Sequence, residues 1–340
     1  MFGPANAFVS HAWRYRFLKD LVAAIKAWKK RQPRNSIVNL FLWVDIFVVN
    51  QHIDPPKIQN TEEEERNFKT FSDGLQVALQ DVGRAIIVLS PWNRPEWMFR
   101  IWCLFEFYIM EMFHIQYEFV MPPEQESSFV HSLEEEGNTF LEMVSTLNME
   151  HADSQSDYDK VQIKKLVVKN LGGFSKLNES TVGAVRSFCI QTCMNALSTM
   201  TEDKKANSNL LENSALLLKD VGDLNTAAQY FSEVIRHKVL RFGEGHVSVA
   251  ATYCNMGIVY RKQGNLEKAL EMYEKDLEIT KKCLGDSHVS VADSLFNMSI
   301  IYDNLGDKVK GLELTRKAHS ICVTALGHDH PKTKNYARFI

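Results

Sequence analysis

A single acidic residue, Glu106, lies within a strongly apolar stretch of the chain. It follows Ile101–Phe105 and precedes Phe107–Met110, and a helix that is apolar on all sides is buried. A buried carboxylate needs a partner or a cleft because its desolvation is costly, and carboxylates with shifted pKa values are enriched at functional sites. Two alternatives follow: Glu106 is catalytic, or it forms a structural pair with Arg94, Arg100 or a backbone donor.

Polar and aromatic residues also follow three predicted strands, Ala7–Ser10, Leu40–Ile46 and Ala85–Leu89. Helical patterns separate these strands, which predicts a parallel α/β sheet. Ligands bind beyond the carboxyl ends of such strands. The candidate substrate-binding residues at these ends are Ser10, His11, Trp13, Asn50, Gln51, His52, Ser90 and Trp92. The alternative is that both tryptophans are packing residues and the others form turns.

The predicted strands and helices that would hold these residues lie in the first part of the chain, and the second part is repetitive. Two sets of glycines recur every 42 residues: Gly222, Gly264 and Gly306, and Gly243, Gly285 and Gly327. Apolar residues between them recur at helical steps, and such self-similarity is typical of a stacked solenoid. The pattern predicts an α/β domain over residues 1–125, a helical connector over 126–206 and three helical hairpins over 207–340.

The repeat resembles tetratricopeptide (TPR) repeats of the kinesin light chain type. Small residues recur in the first helix of each hairpin at Ala215, Gly257 and Ser299, and Leu-Gly-Asp-x-His links two hairpins. The resemblance implies a concave surface that binds a protein or peptide partner. The residues expected to hydrogen-bond an extended peptide there are Asn213, Asn255 and Asn297. The alternative is that these asparagines only tie adjacent helices together. Lys332–Ile340 is expected to form a capping helix.

Residues 5–120 resemble TIR domains. Ala7–His11 is similar to the first TIR motif, Asp45 matches the acidic residue ahead of the TIR signature loop, and Trp102–Phe107 is similar to the motif of the third TIR helix. The resemblance implies a flavodoxin-like parallel sheet that includes Asp45 in its site, and self-association through this domain. In catalytic TIR domains, the glutamate at the position of Glu106 is the residue on which NAD⁺ cleavage depends.

The two resemblances together imply a signalling or scaffold protein. Its repeats would bind a protein partner, and its α/β domain would act as output by cleaving the nicotinamide–ribose bond of NAD⁺. A carboxylate favours the oxocarbenium-like transition state of such a cleavage. NAD⁺ would be a substrate, and no cofactor is expected. Residues 50–56 depart from the usual TIR loop, so a non-catalytic assembly module is one alternative. A kinesin-light-chain-like adaptor is another, although the chain lacks a long heptad segment.

Composition narrows the classes of partner. Net charge is −3, with 45% hydrophobic and 24% charged residues, so no basic footprint predicts nucleic-acid binding. The six cysteines form no pair of Cys-x-x-Cys motifs, and their spacing predicts no metal site. No uninterrupted apolar run reaches about 18 residues, so no membrane span is expected. Reduced cysteines and the lack of a visible signal peptide favour the cytoplasm.

Overall fold

The computed structural model describes residues 7–10, 21–32, 42–44, 61–94, 99–137, 148–152 and 157–340, with the backbone alone for 7–10 and 42–44. The chain divides into two compact units, Met1–Thr192 and Cys193–Ile340. None of the described helices is both long enough and apolar enough to cross a lipid bilayer. The predicted domain boundaries near residues 125 and 206 stay predictions.

The first unit contains a parallel sheet. Its described strands are β1 (Ala7–Ser10), β2 (Leu42–Val44), β3 (Arg84–Val88) and β4 (Gln116–Val120). They lie in the order β2-β1-β3-β4, and every neighbouring pair is parallel. β3 is buried from Ala85 to Val88, as expected for an inner strand with a continuous apolar sequence. The strand order reverses between β1 and β3, which is the pattern of a doubly wound sheet.

Helices surround this sheet and continue beyond it. They are α1 (Ala23–Arg31), α2 (Thr61–Val82), α3 (Ile101–Met112), α4 (Pro123–Glu136), α5 (Asp157–Leu171) and α6 (Phe174–Thr199), whose last residues belong to the second unit. A buried α3 was predicted and is observed. The sequence also favours a helix start at Pro95, because proline suits the first helical position. Pro95 lies outside the described residues, and α3 begins at Ile101, directly after the extended backbone of Arg100.

Two other helix predictions need correction. Apolar residues recur at helical steps from Phe129 to Leu147, which predicts one helix, but α4 spans Pro123–Glu136 and ends at Gly137, whose φ is 63°. Residues 138–147 lie outside the described part of the chain. A helix was also expected from Val182 to Leu197, whereas α6 already begins at Phe174, directly after a glycine pair.

An aromatic cluster joins α2, α3 and α5. The indole of Trp102 on α3 packs on Phe71 and Phe68 of α2, with ring centroids 4.6 Å and 5.8 Å away. Its N–H donates to Asp159 of α5 at 3.3 Å, and Asn170 of α5 donates to the hydroxyl of Tyr108 at 2.5 Å. The first part of the predicted connector therefore packs directly against the α/β layer.

The second unit contains three successive helical hairpins. Its remaining helices are α7 (Glu202–Asn207), α8 (Leu210–Val221), α9 (Leu224–Phe242), α10 (Val247–Lys262), α11 (Leu266–Leu284), α12 (Val289–Asn304), α13 (Lys308–Leu326) and α14 (Pro331–Ala337). We call α8, α10 and α12 the first helices, and α9, α11 and α13 the second helices. The turn between α10 and α11 places Gly264 at a φ of 78°, a conformation that glycine adopts readily. Helix α14 is shorter than the Lys332–Ile340 segment expected from the sequence.

Recurring residues explain where these helices begin. Each second helix begins after a residue whose side chain accepts the third backbone N–H of the helix: Asp223, Asn265 and Asp307. Each helix that follows a linker begins after a histidine whose Nδ1 accepts the backbone N–H two residues later: His246, His288 and His330. Such side chains satisfy donors that the helix itself leaves unpaired. The histidines therefore serve as helix caps.

The middle hairpin closes on a glycine. Tyr273 of α11 is fully buried and belongs to a core cluster with Ala269, Met298 and Ile301. Its ring lies over Gly257 of α10, where an added Cβ would be 2.6 Å from the ring carbon Cε1. Real side chains do not tolerate such an approach without displacement. The small residue predicted at this position therefore sets the distance between the two helices.

Candidate functional site

The structure places Glu106 in the middle of α3. The residue is 2% exposed, and Phe105 and Phe107 beside it are also buried. Its predicted burial is therefore observed. A carboxylate in such surroundings needs compensating contacts to remain charged. Both alternatives for Glu106, the catalytic and the structural, agree with this burial, and its role stays a prediction.

Ser90 and Trp92 follow β3, as predicted, and both are buried. The backbone N–H of Trp92 donates to Oε1 of Gln125 at 2.9 Å, and its indole N–H donates to Oγ of Ser128 at 3.2 Å. Its ring packs edge-on against Phe129, with centroids 5.2 Å apart. These three partners belong to α4. Trp92 thus packs against α4 as the alternative for the tryptophans describes, and its role in substrate binding stays a prediction.

Among the other residues of the predicted α/β site, only Ser10 lies in the described part of the chain. Ser10 is the last residue of β1, and its Cα is paired with that of Ile87 on β3. Because the strands are parallel, the carboxyl ends of β1 and β3 lie side by side, where the strand order reverses and ligands bind in doubly wound sheets. The remaining candidates lie outside the described residues: His11, Trp13, Asp45, Asn50, Gln51 and His52.

The second candidate site is a row of helices in the repeat unit. Lys219 of α8 donates to Oδ1 of Asn255 on α10 at 3.2 Å. Nδ2 of Asn297 on α12 lies 3.7 Å from Sγ of Cys254 on α10. Asp293 of α12 pairs with Lys332 of α14 at 2.8 Å. Side chains therefore connect α8, α10, α12 and α14 in succession, and we call these four helices the first-helix row.

The three predicted peptide-binding asparagines all lie on this row, one on each of α8, α10 and α12, and all are half-buried. Asn255 also donates from Nδ2 to the carbonyl of Ala251 at 3.2 Å. The contacts of Asn255 and Asn297 with neighbouring first helices are those expected if the asparagines tie helices together. These described contacts use only part of the hydrogen-bonding capacity of each amide, which has two N–H groups and two lone pairs.

Beneath the row lies a buried acidic residue that the sequence analysis missed. Asp276 of α11 is 4% exposed and accepts hydrogen bonds from Ser294 at 2.6 Å and Thr280 at 3.0 Å. Burial raises the pKa of Asp276 above its ordinary value, although these hydroxyl groups favour the charged form. The repeat contains a signal for this burial. The positions 42 residues before and after Asp276 are the apolar Val234 and Ala318, so an acidic residue at this position of the repeat is unusual.

The same environment affects Cys254, which lies on the first-helix row. Burial, followed by the charges of Asp276 and Asp293, raises the pKa of its thiol to about 12. Reactive cysteines need a thiolate. A raised pKa disfavours the thiolate, and Cys254 packs against the core cluster and is a weak hydrogen-bonding partner of Asn297.

Asp276→Asn is expected to raise the melting temperature at neutral pH by a few degrees. A carboxyl group whose folded-state pKa is raised stabilises the fold at low pH, and that stability is lost as pH rises through the folded pKa. The neutral amide removes this penalty, so the difference between the two proteins should shrink as pH falls toward the ordinary carboxyl pKa. Thermal melts at both pH values measure this difference.

Asp293→Asn is the matched control for that experiment. Asp293 is half-exposed and carries a cationic partner, Lys332, so its neutralisation should give no gain at neutral pH. A gain of equal size in both variants, or a gain for Asp276→Asn that is independent of pH, would contradict the assignment of a destabilising buried charge.

Comparison with known proteins adds the following findings. The tetratricopeptide repeat family model matches residues 206–282 and 248–310. Similar solved structures include BtubC (BKLC) from P. vanneervenii, at 14% identity over 78% of this chain and 89% of that chain, with a TM-score of 0.36. Another is a Podosopora anserina putative kinesin light chain with nearly identical TPR-like repeats, at 15% identity over 60% of this chain and 94% of that chain, with a TM-score of 0.36. No curated protein sequence matches the chain. The C-terminal part of the chain therefore carries tetratricopeptide repeats, which occupy residues 206–310.

Proposed function

We propose that the first-helix row binds an extended segment of a protein partner. The observation that carries this proposal is the spacing of three half-buried asparagines, one on each of three consecutive first helices, at intervals of 42 residues. TPR arrays present such rows as elongated binding surfaces. Evenly spaced amides suit an extended peptide, whose backbone offers one donor and one acceptor per residue.

Asn255 is best placed to make the contact. It uses one N–H for the carbonyl of Ala251 and one lone pair for Lys219. A primary amide has two N–H groups and an oxygen with two lone pairs, so Asn255 can form one further hydrogen bond as donor and one as acceptor. These two groups can pair with a single peptide unit, and Lys219 holds the amide in place from the neighbouring helix.

Asn255→Ala is expected to weaken peptide binding about tenfold, the effect of losing one or two hydrogen bonds. The probe is a peptide selected from a random library against the full chain, and fluorescence anisotropy gives its Kd. Asn225→Ala is the control, because this exposed amide on α9 bonds Gln263 at 3.0 Å and lies outside the first-helix row. Unchanged affinity together with a large fall in melting temperature for Asn255→Ala would assign the amide to structure alone.

For the α/β unit, we propose an output role of the TIR type, with cleavage of the nicotinamide–ribose bond of NAD⁺. Two observations support it. The reversal of strand order brings the ends of β1 and β3 together, and a helix with a buried glutamate follows β3. A carboxylate near the ribose would stabilise positive charge in the transition state. Self-association of this unit belongs to the same proposal.

The test is nicotinamide release by the full chain from NAD⁺, for the protein alone and after cross-linking into oligomers. Glu106→Gln is expected to lower the rate at least about 100-fold, the scale of removing one electrostatic contact to a transition state. Glu111→Gln is the control. Glu111 lies on the same helix and accepts a hydrogen bond from Tyr117 at 3.0 Å, and it is not one of the candidate site residues. Absence of release, or equal release by both variants, would leave the unit as an assembly module or as part of an adaptor.

A further inference from the structure

A group of three potential metal ligands lies at the start of the repeat unit. Glu202 belongs to α7, and Glu233 and His237 belong to α9. Their carboxylate oxygens and an imidazole nitrogen all lie within 4.8 Å of one another. Neither proposed binding surface uses these residues, because none of them belongs to the first-helix row or to the unit that contains the sheet.

The local structure explains why the three side chains converge. Glu233 and His237 are four residues apart on α9, and residues at this spacing lie on the same face of a helix. The same spacing places two histidines on one zinc ion in helical metal motifs. Glu202 reaches the pair from α7, so the third ligand comes from a different helix. His237 is only 7% exposed, which restricts the orientation of its ring.

A positive group already contacts two of these ligands. Nη2 of Arg236 lies 2.8 Å from Nε2 of His237 and 3.3 Å from Oε2 of Glu202. A guanidinium group can only donate, so this contact requires a lone pair on Nε2, which is the form of imidazole that binds metals. The side chain of Arg236 is 56% exposed, and it can move into solvent without breaking a packed core.

The charge of the group also suits a cation. Lys205 pairs with Oε1 of Glu202 at 3.1 Å, and Arg236 pairs with Oε2 at 3.3 Å. Once the guanidinium group is displaced, the two carboxylates, the neutral imidazole and Lys205 together carry a net charge of about −1, which favours a divalent cation.

We propose that Glu202, Glu233 and His237 form a binding site for Zn²⁺, in which the metal ion displaces the guanidinium group of Arg236. Imidazole nitrogen and carboxylate oxygen both bind zinc, and three such protein ligands leave a fourth position for water. Ligand atoms of a tetrahedral zinc ion lie about 3.4 Å apart. The three ligand atoms here lie within 4.8 Å of one another, so small side-chain rotations bring them to the distance that zinc requires. The bound ion links α7 to α9 and so fixes the segment that precedes the first hairpin.

The experiment is a titration of the chelator-treated full chain with ZnCl₂ in competition with a chromophoric chelator. About one equivalent should bind, and Glu202→Gln and Glu233→Gln should each weaken that binding at least about tenfold. Arg236→Ala should strengthen it, because the competing cation is removed. Both Gln variants alter half-buried or exposed side chains and should fold normally, whereas His237→Ala removes a buried ring and serves as a supporting variant only.

Two controls separate this site from other zinc ligands in the chain. His131→Ala changes an exposed histidine on α4 and should leave the titration unchanged. Co²⁺ in place of Zn²⁺ should give an absorption spectrum without thiolate charge-transfer bands, since the proposed ligands include no cysteine. Lack of saturable binding, thiolate bands, or binding that both Gln variants retain in full would overturn the proposal.

Discussion

Gly257→Ala is expected to destabilise the repeat unit by about 2 kcal/mol. The added Cβ would lie 2.6 Å and 2.8 Å from two carbons of the Tyr273 ring, and this ring is fully buried. Overpacking of this kind typically costs about 1–3 kcal/mol. Alanine gains about 1 kcal/mol in helix propensity over glycine, so any net loss reports the steric conflict. Urea unfolding of the two proteins measures the difference.

Gly183→Ala is the matched control, because this helical glycine on α6 has no atom within 4 Å of an added Cβ. It should stabilise the protein by up to about 1 kcal/mol, which is the opposite sign. The third hairpin also suggests a rescue, since Ser299 and Thr315 occupy the positions equivalent to Gly257 and Tyr273.

That rescue is a double-mutant cycle that combines Gly257→Ala with Tyr273→Thr. Removal of the ring opens the space that the methyl group needs, so the double variant should be more stable than the sum of the single effects by at least about 1 kcal/mol. Strict additivity would show that the ring does not oppose a side chain at residue 257.

Trp102→Ala is expected to destabilise the first unit by about 3 kcal/mol, at the lower end for a large aromatic residue because the side chain is only half-buried. The substitution removes the ring that contacts Phe68 and Phe71 and the N–H that bonds Asp159. Urea unfolding gives the free energy. Hydrogen exchange should also show lower protection in α5, which loses one of its hydrogen bonds to α3.

Trp102→Phe distinguishes packing from hydrogen bonding at this position. Phenylalanine keeps most of the ring contacts and loses only the indole N–H, so its cost should be about 1 kcal/mol. Equal losses for Phe and Ala would mean that the bond to Asp159 carries the stability. No loss for Ala would contradict the role of the aromatic cluster.

The hairpins could be predicted in detail because their signals are local. Glycines at the turns, capping residues after them and apolar residues at helical steps act within a few positions of each helix. The second helices accordingly begin directly after the capping residues Asp223, Asn265 and Asp307. The order of the strands could be expected only through the family resemblance, because sequence periodicity does not specify which strands are neighbours.

The details of the sites were less predictable because distant parts of the chain determine them. The contacts of Trp92 are one example, because Gln125 and Ser128, more than 30 positions later, hold it against α4. Likewise, Glu202 and Glu233 meet only after α7 folds against α9. The start of α3 involves local signals, since Pro95 favours a helix start while α3 begins directly after the extended backbone of Arg100.

The side-chain contacts between successive helices of the first-helix row differ in chemical type. We therefore expect the joints between these helices to respond differently to salt. The contact between α12 and α14 is an ion pair, and the contact between α8 and α10 joins an ammonium group to an amide. Between α10 and α12 there is an amide and a thiol at 3.7 Å, and sulfur is a weak acceptor. In a solenoid each repeat contacts only its neighbours, so its curvature is a sum of local angles. Salt screens the exposed ion pair more than the other two contacts, so we expect high ionic strength to loosen the contact between α12 and α14 first.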